Sequence, residues 1–209
     1  MLQTRCVLRV AALRPSELET VDQHLPLNRL DQYLEEGSTY LIAWDDDRPV
    51  GHAHIAWQRT HVGVPEIQDV FVMPERRRQG VATTLTRAAE DEVRRQGWDR
   101  VSLSVSAQGN EPAWRLYDSL GYRTTGCAPV RVHGTIMLRG RAVEVDDTLE
   151  YLESSSDGRR RDIVVSASVL SLVGRLPTRR VGAPERTAGP SPLVIAIALG
   201  PGGVAGVIP

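Results

Sequence analysis

The sequence predicts an α/β (α+β) fold built on a mixed, mainly antiparallel sheet, and three observations predict it. Apolar alternation and helical periodicity succeed one another in the order β, α, α, β, β, β, α, β, α, β, β up to residue 139. The run from Glu66 to Val105 reads strand, helix, strand, which implies one parallel pair within the sheet. A hydrophobic content of 41% and a charged content of 24% over 209 residues fit a chain with a real core.

Cys6–Ala11 reads as the first strand. Pro15-Ser16-Glu17 opens a helix, with Ser16 as N-cap and Glu19 completing a capping box. Leu27–Glu36 reads as a second short helix ended by Gly37. Tyr40–Trp44 and Val50–Trp57 read as a hairpin whose turn is Asp45-Asp46-Asp47. Three clustered aspartates fit a wet turn better than a metal site. Glu66–Met73 is a longer strand closed by Pro74. From Gly80 to about Gln96 runs a regular helix with Val81, Leu85, Ala88, Ala89 and Val93 as its apolar stripe. Its other face, Arg87, Glu90, Asp91, Arg94 and Arg95, is expected in water. Arg100–Val105 is a strand and Glu111–Leu120 a helix. Tyr122–Cys127 and Val132–Arg139 are expected as a closing pair of strands.

Composition changes near position 152. Residues 1–152 hold 18 Arg against 22 acidic residues, a formal net of −4, whereas 153–209 hold 7 Arg against 4, a net of +3. All ten Trp, Tyr and Phe residues precede the break, and the last 57 residues hold 8 Gly and 6 Pro. Residues 1–152 are therefore expected to form the functional domain, and 153–209 a mostly unstructured Gly/Pro/Ser-rich tail. Its apolar islands, Ile163–Val173 and Leu193–Leu199, are too short to cross a bilayer.

Several functions lose support. The chain has no lysine, hence neither a Schiff-base lysine nor a P-loop lysine. Cys6 and Cys127 are too few for a disulfide framework or a four-cysteine zinc site, and they fit a reducing, cytoplasmic setting. Cys127, near Pro129, reads as a packing residue. No secretory leader or membrane span is expected, and a net charge of −1 with one arginine triplet is a poor footprint for nucleic acid. His52 and His54 share a strand face without a third ligand, so they read as structural, while His24 and His61 read as surface or loop residues. No metal is expected. Trp44 and Trp57 end paired strands and are expected to brace them or to line an acceptor cleft.

The sharpest local feature is Val70-Phe71-Val72-Met73-Pro74-Glu75-Arg76-Arg77-Arg78-Gln79-Gly80-Val81-Ala82. A strand feeds a basic turn, and the turn enters a helix through a glycine. The first amides of a helix lack intrahelical partners and point along its axis, where the dipole favours an anion. A glycine there permits close approach, and Ala82 keeps the entrance open. An exposed basic turn before an ordinary helix accounts for the same spacing.

The segment Arg77-Arg78-Gln79-Gly80-Val81-Ala82 resembles the acetyl-CoA signature of the GCN5-related N-acetyltransferase (GNAT) superfamily. About thirty residues on, Asn110-Glu111-Pro112-Ala113-Trp114-Arg115-Leu116-Tyr117 with Gly121-Tyr122 looks like the family's second element. The likeness covers roughly residues 5–140. It implies a three-layer fold whose parallel pair splays into a V-shaped slot, with acetyl-CoA as cosubstrate entering from one side and an amine from the other. On the same resemblance, the Val70-Phe71-Val72 segment would pair with the pantetheine arm through Val70 and Val72. Amides from Arg78 through Thr83, with Gln79, Gly80, Val81 and Ala82 between them, would hold the pyrophosphate, and Asn110 would bind the arm from the other side. Tyr117 would face the CoA sulfur as general acid.

The base is left open among Glu66, Asp69, His133 and no dedicated group. Simple alternation along the strand groups Glu66, Gln68, Val70 and Val72 on one face and Ile67, Asp69, Phe71 and Met73 on the other, unless a bulge resets the phase. Leu103-Ser104-Val105-Ser106 carries no acid where some relatives place one, and the loop before Asn110 is one residue longer than the family pattern. The resemblance implies an N-acetyltransferase acting on a small-molecule or peptide primary amine by direct ternary-complex transfer. A catalytically weak acyl-CoA sensor is the alternative. Many relatives dimerise through outer strands, which leaves a homodimer open.

Overall fold

A computed structural model describes residues 8–25, 38–138 and 141–155. Among these, strand β1 (Leu8–Ala12) is followed by a 3-10 turn (Pro15–Glu17) and helix α1 (Leu18–His24). Strands β2 (Ser38–Asp45), β3 (Arg48–Ala56) and β4 (Glu66–Val72) come next. Helix α2 (Val81–Arg95), β5 (Arg100–Ser106) and α3 (Glu111–Ser119) complete the crossover region. The chain then adds β6 (Arg123–Thr124), β7 (Val130–Leu138) and β8 (Arg141–Ser155). The expected helix Leu27–Glu36 lies outside the described residues.

The sheet runs β1-β2-β3-β4-β5-β8-β6, with β7 also paired to β8. Every pairing is antiparallel except β4 with β5. Two apolar clusters show why the layers hold. Alternate residues Leu41, Ala43, Val50, Ala53, Ile55 and Ile67 meet Val81, Leu85, Ala89 and Val93 of α2 and Tyr117 and Leu120 of α3. The opposite residues, Tyr40, Ile42, Trp44 and Phe71, meet Val21 and Leu25 at α1. Fully burying a side chain such as Leu85 or Ile67 contributes about 2 kcal/mol. Gly97 (φ 88) and Gly121 (φ 91) follow the two long helices in left-handed conformation, where both are expected as stops.

Four local expectations are corrected. The capping box at the first helical turn is Arg14 with Glu17, not Ser16 with Glu19: the Arg14 amide donates to the Glu17 carboxylate at 3.0 Å. The Arg14 guanidinium binds the same carboxylate, so the box sits two residues earlier than the sequence pattern suggests. Glu90 is not in water but 2% exposed, between Arg87 and Arg94 at 3.2 Å each. Those two guanidiniums fold back over the helix and cover it. The segments after α3 do not pair with each other; both pair with β8, a strand the sequence reading did not include. Cys127 is exposed rather than packed. Strand β8 continues to Ser155, just beyond the compositional break. Trp57 braces its strands by donating from Nε1 to Thr39 Oγ1 at 2.9 Å, and Trp44 is buried against α1.

Candidate functional site

The site begins as a failure of pairing. Strands β4 and β5 are joined only at Glu66 with Ser102 and Ile67 with Leu103, and then diverge. On the other edge of β4 the register with β3 passes from His54–Gln68 to His52–Phe71, so Asp69 and Val70 stand opposite Ala53 alone. This is a β-bulge with Asp69 at φ 49, and it resets the phase that simple alternation assigns. Ile67, Val70 and Val72 consequently share the α2–α3 face, while Phe71 joins the α1 side. The face expected for Val70, Val72 and Phe71 is thus reversed. Beyond the bulge, the Met73 amide donates to the Val50 carbonyl at 2.9 Å on the β3 side. Alternation along the strand then turns the main-chain groups of Val70 and Val72 to the opposite edge, into the slot. The Val72 carbonyl accepts there from Arg77 Nε at 3.2 Å.

The basic turn sits at the mouth of the slot, and its arginines do different work. Arg76 is held by Asp45 at 2.7 Å, which ties the turn to the β2–β3 hairpin. Arg77 lies back along β4, and Arg78 is exposed with φ 60. The Gln79 side-chain amide donates to the Glu75 carbonyl at 3.1 Å, closing the loop on itself. Gly80, at φ 80, is the N-cap of α2, and its carbonyl accepts from the Thr84 amide at 3.0 Å and from Thr84 Oγ1 at 3.1 Å. A Cβ on Gly80 would meet nothing within 4 Å, so no neighbour in the chain demands a glycine for space. The demand is left-handed backbone and open access to the amides of Val81, Ala82 and Thr83, which a helix cannot satisfy internally.

Across the slot, Asn110 is the N-cap of α3, accepting from the Ala113 amide at 3.4 Å. It is 5% exposed, and its Nδ2 is buried without a partner. A buried donor with no acceptor is costly, so Asn110 suits a ligand that brings a carbonyl. The residues around the slot therefore offer free amides and a side-chain donor. These are what a diphosphate and an amide-bearing arm require, and the donor set fits CoA.

Tyr117 and Glu66 occupy opposite faces of the sheet. Tyr117 belongs to the cluster beneath α2 and α3, 6% exposed and edge-on to Tyr122 at 5.6 Å. Burial pushes its phenol well above the ordinary tyrosine range, so it stays protonated. Glu66 is 2% exposed and accepts from Ser104 Oγ at 3.3 Å. Burial raises its pKa, while hydrogen bonds from Gln68, Ser104 and the His61 backbone pull the other way. Asp69 stands at the bulge, half-buried. His133 is exposed on β7, where Arg131, Glu144 and Asp146 line the same open depression of about 420 Å³. His52 is buried with its pKa lowered to about 3, first by desolvation and then by His54. Its ring stacks on Phe71 at 5.5 Å, and His54 stacks on Tyr40 at 4.7 Å, a structural setting for both histidines. Among the described residues no three His, Cys, Asp or Glu side chains form a metal-binding group. None of the described helices is long and apolar enough to cross a membrane.

Four residues around Glu66 carry no site role in the sequence pattern: His61, Gln68, Ser104 and Tyr151. Tyr151 on β8 is buried, stacks on His61 at 4.3 Å and feels the Glu66 charge, which helps raise its phenol to about 12 after burial itself. Gln68 carried a readable signal, two places from Glu66 on one strand face. Tyr151 carried another in the alternation Val145, Leu149, Tyr151, but the neighbouring Asp146-Asp147 reads as a turn.

A slot between splayed parallel strands, fed by a glycine-capped helix, defines an acyl-CoA-type transferase fold. The Acetyltransferase (GNAT) family model matches residues 8–122, more than half the chain, and the chain belongs to that family. An uncharacterized N-acetyltransferase, YsnE, of Bacillus subtilis (strain 168) is 29% identical over 97 residues. That alignment takes in 46% of this chain and 62% of the relative, less than two thirds of its length. An acetyltransferase from Bacillus subtilis solved with CoA superposes at TM-score 0.54 and 20% identity, covering 71% of this chain and 99% of that one. One from Bacillus anthracis str. Ames solved with acetyl coenzyme A gives 0.51 and 14%, again covering 71% and 99%. At these identities the two structures share the fold.

Proposed function

We propose that the chain transfers an acetyl group from acetyl-CoA to a primary amine in a ternary complex. The observation that carries this reading is the slot: β4 and β5 part after one residue pair beyond Glu66, and α2 presents its unpaired amides at the opening. The relatives solved with CoA and acetyl-CoA support the choice of cosubstrate. On this reading the amides from Arg78 to Thr83 hold the diphosphate, with Arg78 adding charge. Val70 and Val72 main-chain groups and Asn110 Nδ2 hold the pantetheine arm, and Arg77 shares the Val72 carbonyl. Acetyl-CoA supplies the activated thioester carbonyl.

The chain's own residues then have two proton tasks. Glu66, once ionised, takes a proton from the amine as nitrogen attacks. Tyr117, kept neutral by burial, donates toward the leaving sulfur from the other face. Alignment of two bound substrates at near contact supplies much of the rate. The net of −4 over residues 1–152 suits a cationic small molecule or peptide amine. We place this function in residues 1–152, with the end of β8 completing the sheet.

The direct test is amine-dependent release of CoA thiol from acetyl-CoA, run with an amine panel on the full chain, beside calorimetry of acetyl-CoA binding. Saturable binding with amine-dependent release supports the reading. Binding with no amine ever consumed moves the chain to an acyl-CoA sensor, and no binding at millimolar acetyl-CoA removes both.

A further inference from the structure

Beside Glu66 stands a buried group the transfer chemistry has not used. Gln68 follows Glu66 by two positions on β4, and the register with β3 is regular across the pair, with Glu66 opposite Ala56, Ile67 opposite Ile55 and Gln68 opposite His54. The two side chains therefore lie on one face. Gln68 is 4% exposed, and its side chain is near enough to the Glu66 carboxylate to help lower its pKa. An ionised carboxylate only accepts, so the Gln68 amide nitrogen is the group turned to it. That leaves Gln68 Oε1, which is buried without any hydrogen-bond partner.

Position adds to chemistry. Pairing between β4 and β5 ends at Ile67, and the bulge begins at Asp69. Gln68 is thus the residue at the apex of the slot, between the last paired residue and the bulge. Two oxygen acceptors thus belong to neighbouring positions on one face of the strand, the Glu66 carboxylate and the unpartnered Gln68 Oε1. The complementary group is one nitrogen bearing at least two hydrogens.

We propose that Gln68 is a substrate-positioning residue whose Oε1 accepts the second N–H of the acceptor, and that it thereby selects primary over secondary amines. The proposal rests on the reading of Glu66 as base. The balance of the step shows why. The amine nitrogen bonds to the thioester carbonyl carbon, the carbon–sulfur bond breaks, and one amine proton passes to Glu66. The sulfur leaves as thiolate and takes its proton from Tyr117. A primary amine keeps one N–H through to the amide product, and Gln68 Oε1 holds it throughout. A secondary amine has no hydrogen left once Glu66 has taken one, so Oε1 stays unpaired in a dry site. A site built to accept an N–H discriminates against a substrate lacking it more sharply than an apolar wall does.

The test uses the full chain and a panel of alkyl, aralkyl and polyamine primary amines, each beside its N-methyl derivative, with thiol release as the readout. Gln68→Met keeps the bulk and removes the acceptor together with the amide donor beside Glu66, so the deciding quantity is the ratio of kcat/KM within each substrate pair. Wild type should favour the primary member of each pair. In Gln68→Met, kcat/KM for primary amines should fall roughly tenfold to a hundredfold. The N-methyl series loses only the Gln68 support of Glu66 and should fall less, acetyl-CoA affinity should stay within about twofold, and the primary-over-N-methyl ratio therefore collapses. A Gln68→Met enzyme that binds acetyl-CoA and keeps the wild-type preference overturns the proposal, because the selectivity is then steric. Equal use of primary and N-methyl amines by wild type overturns it without any variant, should Gln68→Met fail to fold. In either case the transferase reading stands. Absence of turnover by wild type with every amine overturns that reading and this role together.

Discussion

Two glycines in this fold do opposite jobs, and replacing each by alanine separates binding from stability. A Cβ on Gly80 points into space with nothing within 4 Å, so Gly80→Ala adds no clash. Its structural cost is the left-handed conformation at φ 80, roughly 1–2 kcal/mol for a residue with a Cβ. At about 2–4 °C per kcal/mol for a chain of this size, Tm should fall by roughly 2–8 °C. A Cβ on Gly51 would lie 2.6 Å from the Phe71 carbonyl oxygen and 3.2 Å from Leu85 Cδ1. Strand β3 would have to part from β4 and α2, so Gly51→Ala should cost about 3 kcal/mol, the larger loss. Ligand affinity should rank the other way. The methyl at residue 80 stands before the α2 amides and should weaken acetyl-CoA binding about tenfold or more. Gly80→Glu, which adds bulk and like charge, should abolish it. Thermal unfolding by circular dichroism and calorimetry with acetyl-CoA give both quantities on the same samples. Wild-type affinity in a folded Gly80→Ala protein would refute the cradle, and with it the assigned direction of the cosubstrate.

Three further outcomes are expected. Tyr117→Phe should lower kcat by roughly a hundredfold while acetyl-CoA affinity stays near wild type; normal turnover would remove the acid role. Glu66 has its pKa raised by burial, so its ionised form is lost as pH falls through a value above 4.5. The kcat/KM profile should therefore decline on the acid side at a higher pH than an ordinary carboxylate gives, and Glu66→Gln should lose that limb along with most activity. His52 is buried neutral at about 3 against 6.5 unfolded, so its stabilising contribution is present above pH 6.5 and lost as pH falls below it. Between pH 7 and pH 5 the loss is about 2 kcal/mol, read as a drop in chemical-denaturation free energy that His52→Phe should flatten. An equal drop in both proteins would exclude His52 as the source.

The frame of the fold was legible because its signals are local. The parallel pair follows from a strand–helix–strand crossover, and the helix stops follow from Gly97 and Gly121. What escaped depends on partners distant in sequence. Glu90 reads as surface because its helix neighbours are charged. It is buried because Arg87 and Arg94 reach back over it while it faces Tyr122. The bulge could be named only as an exception to alternation because it is a mismatch between two strands, not located by β4 alone; Asp69 is a residue type that tolerates positive φ, but so are many aspartates in ordinary conformations. At the site, the basic turn entering a helix through Gly80 was readable from one short segment. The division of labour among three consecutive arginines was not, since Asp45 and the Val72 carbonyl decide it.

The placement of Tyr117 and Glu66 on opposite faces has a chemical consequence. A general acid and a general base within hydrogen-bond reach of each other would exchange their proton directly. Here Ile67 and its neighbours pack the sheet between them, so the two groups communicate only through substrates meeting in the slot. Burial raises both pKa values, with different consequences for the two roles. It keeps Tyr117 a neutral hydrogen-bond donor while making it a weaker acid, and on the proposed reading it raises the basicity of Glu66 toward that of the amine. The same burial costs ionisation, and the hydrogen bonds from Ser104, Gln68 and the His61 backbone limit that cost. Removing the Ser104 hydroxyl should therefore move the acid limb of the profile to higher pH, away from the direction in which a water-exposed carboxylate would move it.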